Sequence, residues 1–361
     1  MNRKTFPLRL SFIICRLSVL RRLSFIICRL SVLRRLSFII CHLSVLRRLS
    51  FIIFYLSFSY AAGVAQTLVE LNCENLFDYR HDEGKQDLEF TPDGERSWTP
   101  QRYWRKLNSI GQVILSCGDD LPDFVALTEV ENDSVLHDLT RRSLLRGADY
   151  DYLMTCSPDV RGIDVALLYQ PSRFRPLCYE TIEVPPLKNM RPTRDILYVQ
   201  GLTSAADTLH FFIVHAPSRY SGERRTRPYR LHVASLVGRA VRALGAQAKV
   251  IVVGDFNDYA DSPSLRRLAA FGLHNITQKA RGSNGARGTY RFQGEWHSLD
   301  HVLVSSALMT AVEKVYVNDA SFLLETDGTY GGVRPRRSFN GYRYQPGFSD
   351  HLPLVVSFRL H

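Results

Sequence analysis

The sequence has 361 residues and a formal net charge of +11, but the first 65 contain Lys4, ten arginines and no acidic residue, and so carry the whole excess. Without those eleven, the remaining 35 basic residues balance 35 acidic ones, and the high isoelectric point gives no argument for nucleic-acid binding by the folded part. Beyond residue 65 the only cysteines are Cys73, Cys117, Cys156 and Cys178; their lack of CxxC spacing argues against a thiolate zinc site and leaves disulfide pairing open.

In chain order the first feature is a tandem repeat. Ser-Phe-Ile-Ile recurs at Ser11, Ser24, Ser37 and Ser50, a period of 13 residues that matches no solenoid repeat. Arginine pairs at 21–22, 34–35 and 47–48 interrupt it, so no copy before the last could span a bilayer. The last copy differs: Arg47-Arg48, an apolar stretch 49–60 and Ala61-Ala62-Gly63-Val64-Ala65 have the basic, apolar and small-residue layout of a secretory signal, with cleavage expected near Ala65. The alternative is an uncleaved anchor that would hold the protein at a membrane. The upstream copies resemble an expanded DNA repeat or a misplaced start rather than structure. The chain therefore divides into a leader, 1–65, and about 296 residues, 66–361, which suffice to bury a large core.

Residues 67–72 predict a first strand, and 74–100, rich in Asp, Glu, Gly and Pro, a long surface loop. A helix is expected at 101–117, with Trp104, Leu107, Ile110 and Ile114 on one stripe. A strand at 123–129 and a helix near 133–145 follow, then strands at 150–155, 163–169, 195–200 and 208–214. Residues 227–244 predict a helix that faces the core with Leu231, Ala234, Val237, Val241 and Leu244. Strands at 249–253, 299–304 and 353–359 close the chain. No Ser/Gly-rich linker interrupts it after residue 66, which favours one monomeric α/β domain in which two packed sheets lie between helical layers.

Polar motifs stand at the ends of these apolar runs: Glu129, Asp164, Asp255 with Asn257, Asp300, and Asp350 with His351. Gathering carboxylates and imidazoles at strand ends is how a chain builds a metal-dependent hydrolytic centre. Glu129 ends the run Phe124-Val125-Ala126-Leu127, where a charge is costly unless paired; an arginine or a hard cation would offset that cost. Asp255 and Asn257 share a turn in which a carboxylate can orient water and an amide can donate to phosphate, although Asp/Asn turns are common without function. Asp300 and His351 form a natural acid–base pair, because a carboxylate fixes the imidazole tautomer and raises its pKa.

Leu71-Asn72-Cys73-Glu74-Asn75-Leu76-Phe77-Asp78, Leu127-Thr128-Glu129-Val130, Arg161-Gly162-Ile163-Asp164, Val214-His215, Gly254-Asp255-Phe256-Asn257-Asp258, Leu299-Asp300-His301 and Ser349-Asp350-His351-Leu352-Pro353 follow one another in a telling order. From about residue 68 to 360 the chain resembles the endonuclease/exonuclease/phosphatase superfamily, which includes DNase I-like nucleases, abasic-site endonucleases, sphingomyelinases and inositol polyphosphate phosphatases. The resemblance implies a four-layer DNase I-like sandwich, two mixed β-sheets flanked by helices, and Mg²⁺-dependent phosphoester cleavage, with Mn²⁺ as the other candidate metal. It makes Glu129 the main metal ligand, helped by Asn72 and Asp350. It places His351 at the scissile phosphate or in proton transfer, pairs His215 with Asp164 as a second His–Asp couple, and matches Arg194 to a phosphate-contacting arginine. On the residues alone, Asn72 and His215 could equally be ordinary strand-end side chains, and Arg194 half of a surface ion pair with Asp195. His301 is given no role. The implied mechanism has Asp255 orient water for in-line attack while His215, His351, Asn257 and Arg194 hold the phosphorus centre.

For the substrate, 218–230 and 333–348 interleave arginines with Tyr220, Tyr229, Phe339, Tyr342, Tyr344 and Phe348, which suits a phosphate backbone and stacked bases or, equally, a solvated loop face. Nucleic acid is the expected substrate, and no protein partner is implied. The alternatives are inositol phosphates, nucleotides or lipid headgroups. No long apolar hairpin speaks for a lipid, and Phe256-Asn257-Asp258-Tyr259 departs from the Asn-Tyr-Arg run of the inositol phosphatases. A secreted binding module without catalysis is the remaining reading.

Overall fold

Thirteen residues, Val64–Leu76, form β1, buried on both faces over most of its length. Such a strand requires a packed layer on each side and so belongs in the middle of a sheet. The computed structural model describes residues 64–360, so the leader expected at 1–65 lies outside the described residues except for Val64 and Ala65, which open β1.

After a long loop comes α1 (Pro100–Leu115), with Pro100 in its first turn and the Thr99 side chain capping the Arg102 N–H. Then follow β2 (Phe124–Val130), α2 (Asp133–Arg141), β3 (Asp151–Met154) and β4 (Asp164–Tyr169). Next are β5 (Phe174–Ile182), β6 (Ile196–Thr203), β7 (Thr208–His215), α3 (Glu223–Ala243), β8 (Lys249–Asp255), α4 (Pro263–Ala269) and β9 (Leu273–Asn275). The hairpin β10 (Tyr290–Phe292) and β11 (Glu295–His297) leads to β12 (Asp300–Ser305) and β13 (Val312–Val317). Two small hairpins, β14 (Leu324–Thr326) with β15 (Val333–Pro335) and β16 (Phe339–Asn340) with β17 (Arg343–Tyr344), precede the last strand, β18 (Leu354–Leu360).

The larger strands make two six-stranded sheets, ordered β13-β18-β1-β2-β4-β3 and β5-β6-β7-β8-β12-β9. Each is antiparallel but for one central parallel pair, β1–β2 in the first and β7–β8 in the second. Parallel neighbours need a crossover; α1 lies in the first and α3 in the second. Three apolar layers follow. Leu68, Phe124, Val165, Phe211, Ile251 and Val302 pack between the sheets. Leu71, Leu127 and Leu168 pack outward against Leu107, Ile110 and Leu136 of α1 and α2, while Val214 and Val252 pack outward against Val237 of α3 and Leu268 of α4. The result is the expected helix–sheet–sheet–helix sandwich, with two mixed sheets.

The structure adds elements that periodicity did not predict. The β5 strand is largely exposed, carries Pro176 and lies at a sheet edge, so it lacks a buried pattern. α3 begins at Glu223 rather than 227, its first turn held by the Glu223–Arg227 ion pair, with Pro228 inside the helix.

Candidate active site

Ligand sites in α/β sheets gather at the carboxyl ends of parallel strands, and here both parallel pairs end at one cleft. His215 closes β7 and stands in register with Asp255 at the end of β8. The antiparallel β12 begins with Asp300, opposite Asp255. Since Ile213, Val253 and Val302 point into the inter-sheet core, alternation aims His215, Asp255 and Asp300 the same way, at the open end of that core. Asn72 comes from the same face of β1 as Leu68. Gly254 allows the close approach: at φ 140°, a Cβ on it would lie 1.9 Å from the Val214 carbonyl oxygen.

Glu129 reaches the cleft differently. Alternation along β2 would turn it outward with Val125 and Leu127. A bulge between Thr128 and Val130 in the pairing with β4 and a φ of 61° re-aim it toward the cleft. Of nine non-glycine residues with positive φ among those described, four (Glu74, Asn75, Glu129 and Asn257) line this cleft. Unfavourable backbone held in place this way is typical of a functional site.

The polar groups interlock across the two sheets. Asn72 Nδ2 donates to Asp255 Oδ2 at 3.1 Å, and its Oδ1 accepts from the Glu74 N–H. Asp255 also accepts from Asn257 N at 2.7 Å and from Asn257 Nδ2 at 3.2 Å. The Asn75 N–H donates to Glu129 Oε2 at 2.8 Å, leaving Oε1 between Arg161 Nη1 at 3.7 Å and His215 Nε2 at 3.9 Å. His215 Nε2 lies 3.6 Å from Asp255 Oδ2. His351 Nδ1 and Asp300 Oδ2 meet at 2.7 Å, and Thr289 donates to that same oxygen.

Burial disfavours the cation at both imidazoles, but their neighbours shift them in opposite directions. For His351 it disfavours the cation, but Asp300, Asp350 and Asp255 outweigh it and hold the pKa well above the ordinary value. His215 is pushed well below by burial and by Arg194, Arg161 and His351. Asp255 is raised to about 7, first by burial and then by Asp300. Beneath them Glu70, buried on the Asn72 face of β1, has no hydrogen-bond partner at either carboxyl oxygen. Burial, then Asp300 and Asp255, raise its pKa well above the carboxylate range. Nothing in its place in the strand singles it out in the sequence.

The cleft encloses about 700 Å³ and is lined by Asn72, Glu129, His215, Asp255, Asn257, Asp350 and His351 among the expected residues, with Asp300 behind His351. Two expected residues stand elsewhere. Asp164 lies on the opposite face of β4 from Val165 and Leu167, and Thr155 and Ser157 bond its carboxylate. The second His–Asp couple is therefore absent: His215 Nδ1 has no hydrogen-bond partner, and strand alternation is the reason. Arg194 does not line the cleft but is buried just behind it, on Asp159 at 3.2 Å and on the Ala216 carbonyl at 2.8 Å beside His215. It is a structural ion pair, and the arginines at the cleft are Arg161, Arg219 and Arg337.

Both basic segments are only partly at the rim. Phe339, Tyr344 and Trp98 form an aromatic cluster, and Phe348 is buried; Arg337 bridges Glu74 at 3.3 Å and Asp350 at 2.9 Å. From the first segment Ser218, Arg219, Tyr220 and Glu223 line the cleft, whereas Arg230 is buried on Asp258. His301 is a satisfied core histidine between the Asp258 carbonyl and Asn275. Of the four cysteines among the described residues, Cys73 and Cys117 are buried, Cys156 and Cys178 are exposed, and all four are free.

The donors suit a hard divalent cation. The ligating atoms of Asp255, Asp300 and His351 lie within 4.8 Å of one another. His351, held as a cation by Asp300, has no lone pair to give, but the two carboxylates do, and Asp300 Oδ1 is buried without a partner. Asn72, Glu129 and Asp350, the ligands implied by the sequence, line the same cleft. There Asp350 is occupied by Arg337, and the Asn72 amide by Asp255 and Glu74.

A model of the Endonuclease/Exonuclease/phosphatase family matches residues 67–360. Among solved structures, an endonuclease/exonuclease/phosphatase family protein from Bacteroides thetaiotaomicron is 16% identical, with a TM-score of 0.56 over 83% of this chain and 99% of that one. The mannosyl-6-phosphatase of Bacteroides thetaiotaomicron VPI-5482 is 17% identical, with a TM-score of 0.55 over 81% of this chain and 99% of its own. The human Nocturnin catalytic domain with bound sulfate is 16% identical, with a TM-score of 0.52 over 82% and 95%. At such identities the likeness shows the fold alone. No curated protein matches the sequence.

Proposed function

The chain belongs to the endonuclease/exonuclease/phosphatase family, and from that premise we propose that it is a divalent-metal-dependent phosphoester hydrolase whose substrate is a phosphodiester, a nucleic-acid strand in the first place. One observation carries the reading. Five strands bring Asn72, Glu129, His215, Asp255 and Asp300 to one cleft, where Asp300 holds His351 at 2.7 Å and Asp255 lies 3.6 Å from His215. A base, an imidazole and a proton donor are thus within reach of one phosphate.

Asp255 takes a proton from the attacking water while Asn72 and Asn257 hold its carboxylate in place. His351, kept charged by Asp300, donates toward the phosphate, and Arg161 adds positive charge across the cleft. Neutral His215 has an N–H to offer without competing for the cation's place. Mg²⁺ or Mn²⁺ would be held by Glu129, with Asn72 and Asp350 as further ligands once the Glu74 N–H and Arg337 release them, and would neutralise charge on the phosphate oxygens. Export, read from the signal-like end of the leader, completes the proposal. Among the described residues no helix is long and apolar enough to cross a membrane.

The test is nicking of supercoiled plasmid by the full chain and by Glu129→Gln with Mg²⁺ supplied. Nicking by the wild type and its loss by a factor of about 10² or more in the variant is the expected result. Release of inorganic phosphate from a sugar phosphate, with no nicking by the same folded protein, would move the assignment to a phosphomonoesterase.

A further inference from the structure

One wall of the cleft takes no part in the chemistry above. In the β10–β11 hairpin Tyr290 and His297 are cross-strand partners. Tyr290 packs on the catalytic His351, with ring centroids 4.9 Å apart. In the other direction His297 stacks on Tyr259, centroids 5.0 Å apart and planes 22° apart, and the Arg219 guanidinium lies 4.3 Å over the Tyr259 ring. A row of flat groups therefore runs from the phosphate-handling histidine along one side of the cleft, and all of them line it. Phe292 on the same hairpin is 54% exposed and Tyr220 at the mouth is 97% exposed. Arg219 Nη1 is buried without a hydrogen-bond partner, and the guanidinium rests on the Tyr259 ring.

We propose that this row is a ring-binding subsite that takes the planar heterocycle of the nucleotide joined to the scissile phosphate, which makes the preferred substrate a base-bearing phosphodiester. The inference rests on the phosphodiesterase reading and deepens it. Flat aromatic faces interleaved with a guanidinium bind any base by stacking, with little regard to sequence. A phosphate carried on a base-free sugar would use only the arginines and the carboxylate cluster. Position supports the assignment as well: Tyr259 follows the Asp255–Asn257 turn, and His297 stands three residues before Asp300, so the wall is fixed to the strands that carry the chemistry.

The experiment compares kcat/KM of the full chain, with Mg²⁺, on a dinucleotide and on two counterparts that lack the base on the 5′ or the 3′ side of the cleavable phosphate. Wild type is expected to prefer the base-bearing substrate by about ten-fold or more on one side. In Tyr259→Ala and in His297→Ala that ratio should fall to within about two-fold of one, on the stacking contribution that each ring supplies. Because the ratio is taken within each protein, partial unfolding of a variant does not move it. Equal cleavage of all substrates by wild type, or a ratio unchanged in both variants, overturns the ring subsite and leaves the phosphodiesterase reading standing. Cleavage of none of them by folded wild type overturns both.

Discussion

Asp300→Asn tests the electrostatic arrangement with little change of shape. The Asn oxygen can still accept from His351 Nδ1, now 2.7 Å from Asp300, and from Thr289, so the ring stays oriented while the charge is lost. A hydrogen bond to a charged partner contributes about 1.5–3 kcal/mol, and about 1.4 kcal/mol is ten-fold in a protonation equilibrium. Burial disfavours the His351 cation, so without its leading stabiliser the imidazole should become neutral at pH 7. The sign fixes a stability signature too. A histidine whose folded pKa is raised stabilises fully below its ordinary 6.5 and loses that contribution as pH rises through the folded value. Asp300→Asn should abolish this alkaline loss. Following the His351 Cε1–H resonance in the metal-free protein should show a cation above pH 7 in wild type and a neutral ring there in the variant. Turnover should fall by about 10²–10⁴-fold, the usual contribution of a positioned proton donor. A variant whose His351 stays charged at pH 8, or whose turnover matches wild type, would refute the reasoning.

Glu131 gives a pH dependence of the same sign, beginning at lower pH. Burial pushes its carboxyl up to about 9, against an ordinary 4.5, so the folded state holds a proton that the unfolded chain releases, and stability falls as pH rises between those values. Glu131→Gln, which keeps an acceptor for the Asp78 N–H, should be more stable than wild type by about 2–4 kcal/mol at pH 8 in urea titrations, with the gap closing near pH 5. Arg194→Ala strands the buried Asp159 carboxylate and should lower stability by about 3 kcal/mol in the same assay, with KM unchanged in the folded fraction. Arg161→Ala should do the reverse, raising KM or lowering kcat with less than about 1 kcal/mol lost in stability, since its pair with Glu129 is half-exposed. Gly254→Ala places a methyl 1.9 Å from the Val214 carbonyl oxygen and should fail to give a cooperative thermal transition; a folded, active variant would show that the β7–β8 ends are less tightly fixed than drawn here.

The sandwich and most of the cleft were legible in the sequence because both rest on local pattern. Apolar runs such as Phe124–Leu127 and Val250–Val253 mark buried strands, and each ends in a charged residue that the fold then gathers with others. Two residues depart from expectation for opposite reasons, Glu129 from strand alternation and Asp164 from the role that the resemblance implied. Glu129 belongs to the cleft only because a bulge and a positive φ turn it there, whereas Asp164 keeps its regular place and so faces away. Arg194 illustrates another limit: nothing in Arg194-Asp195 says that its partner is Asp159, 35 residues earlier, or that the pair is buried. The aromatic wall was hidden because its members, Arg219, Tyr259, Tyr290 and His297, are scattered in sequence and meet through a three-residue hairpin strand. Glu70 reads as an ordinary member of a polar–apolar strand until its lack of any partner is seen.

The central claim is that His351, charged by Asp300, and a divalent cation act together on a phosphodiester. The most direct measurement is the rate of supercoiled-plasmid nicking by the full chain and by His351→Ala, each with Mg²⁺ and with EDTA. The account predicts nicking by wild type with Mg²⁺ alone and a loss of about 10²-fold or more in the other three conditions. Nicking by His351→Ala at the wild-type rate, or nicking by wild type that survives EDTA, would contradict it.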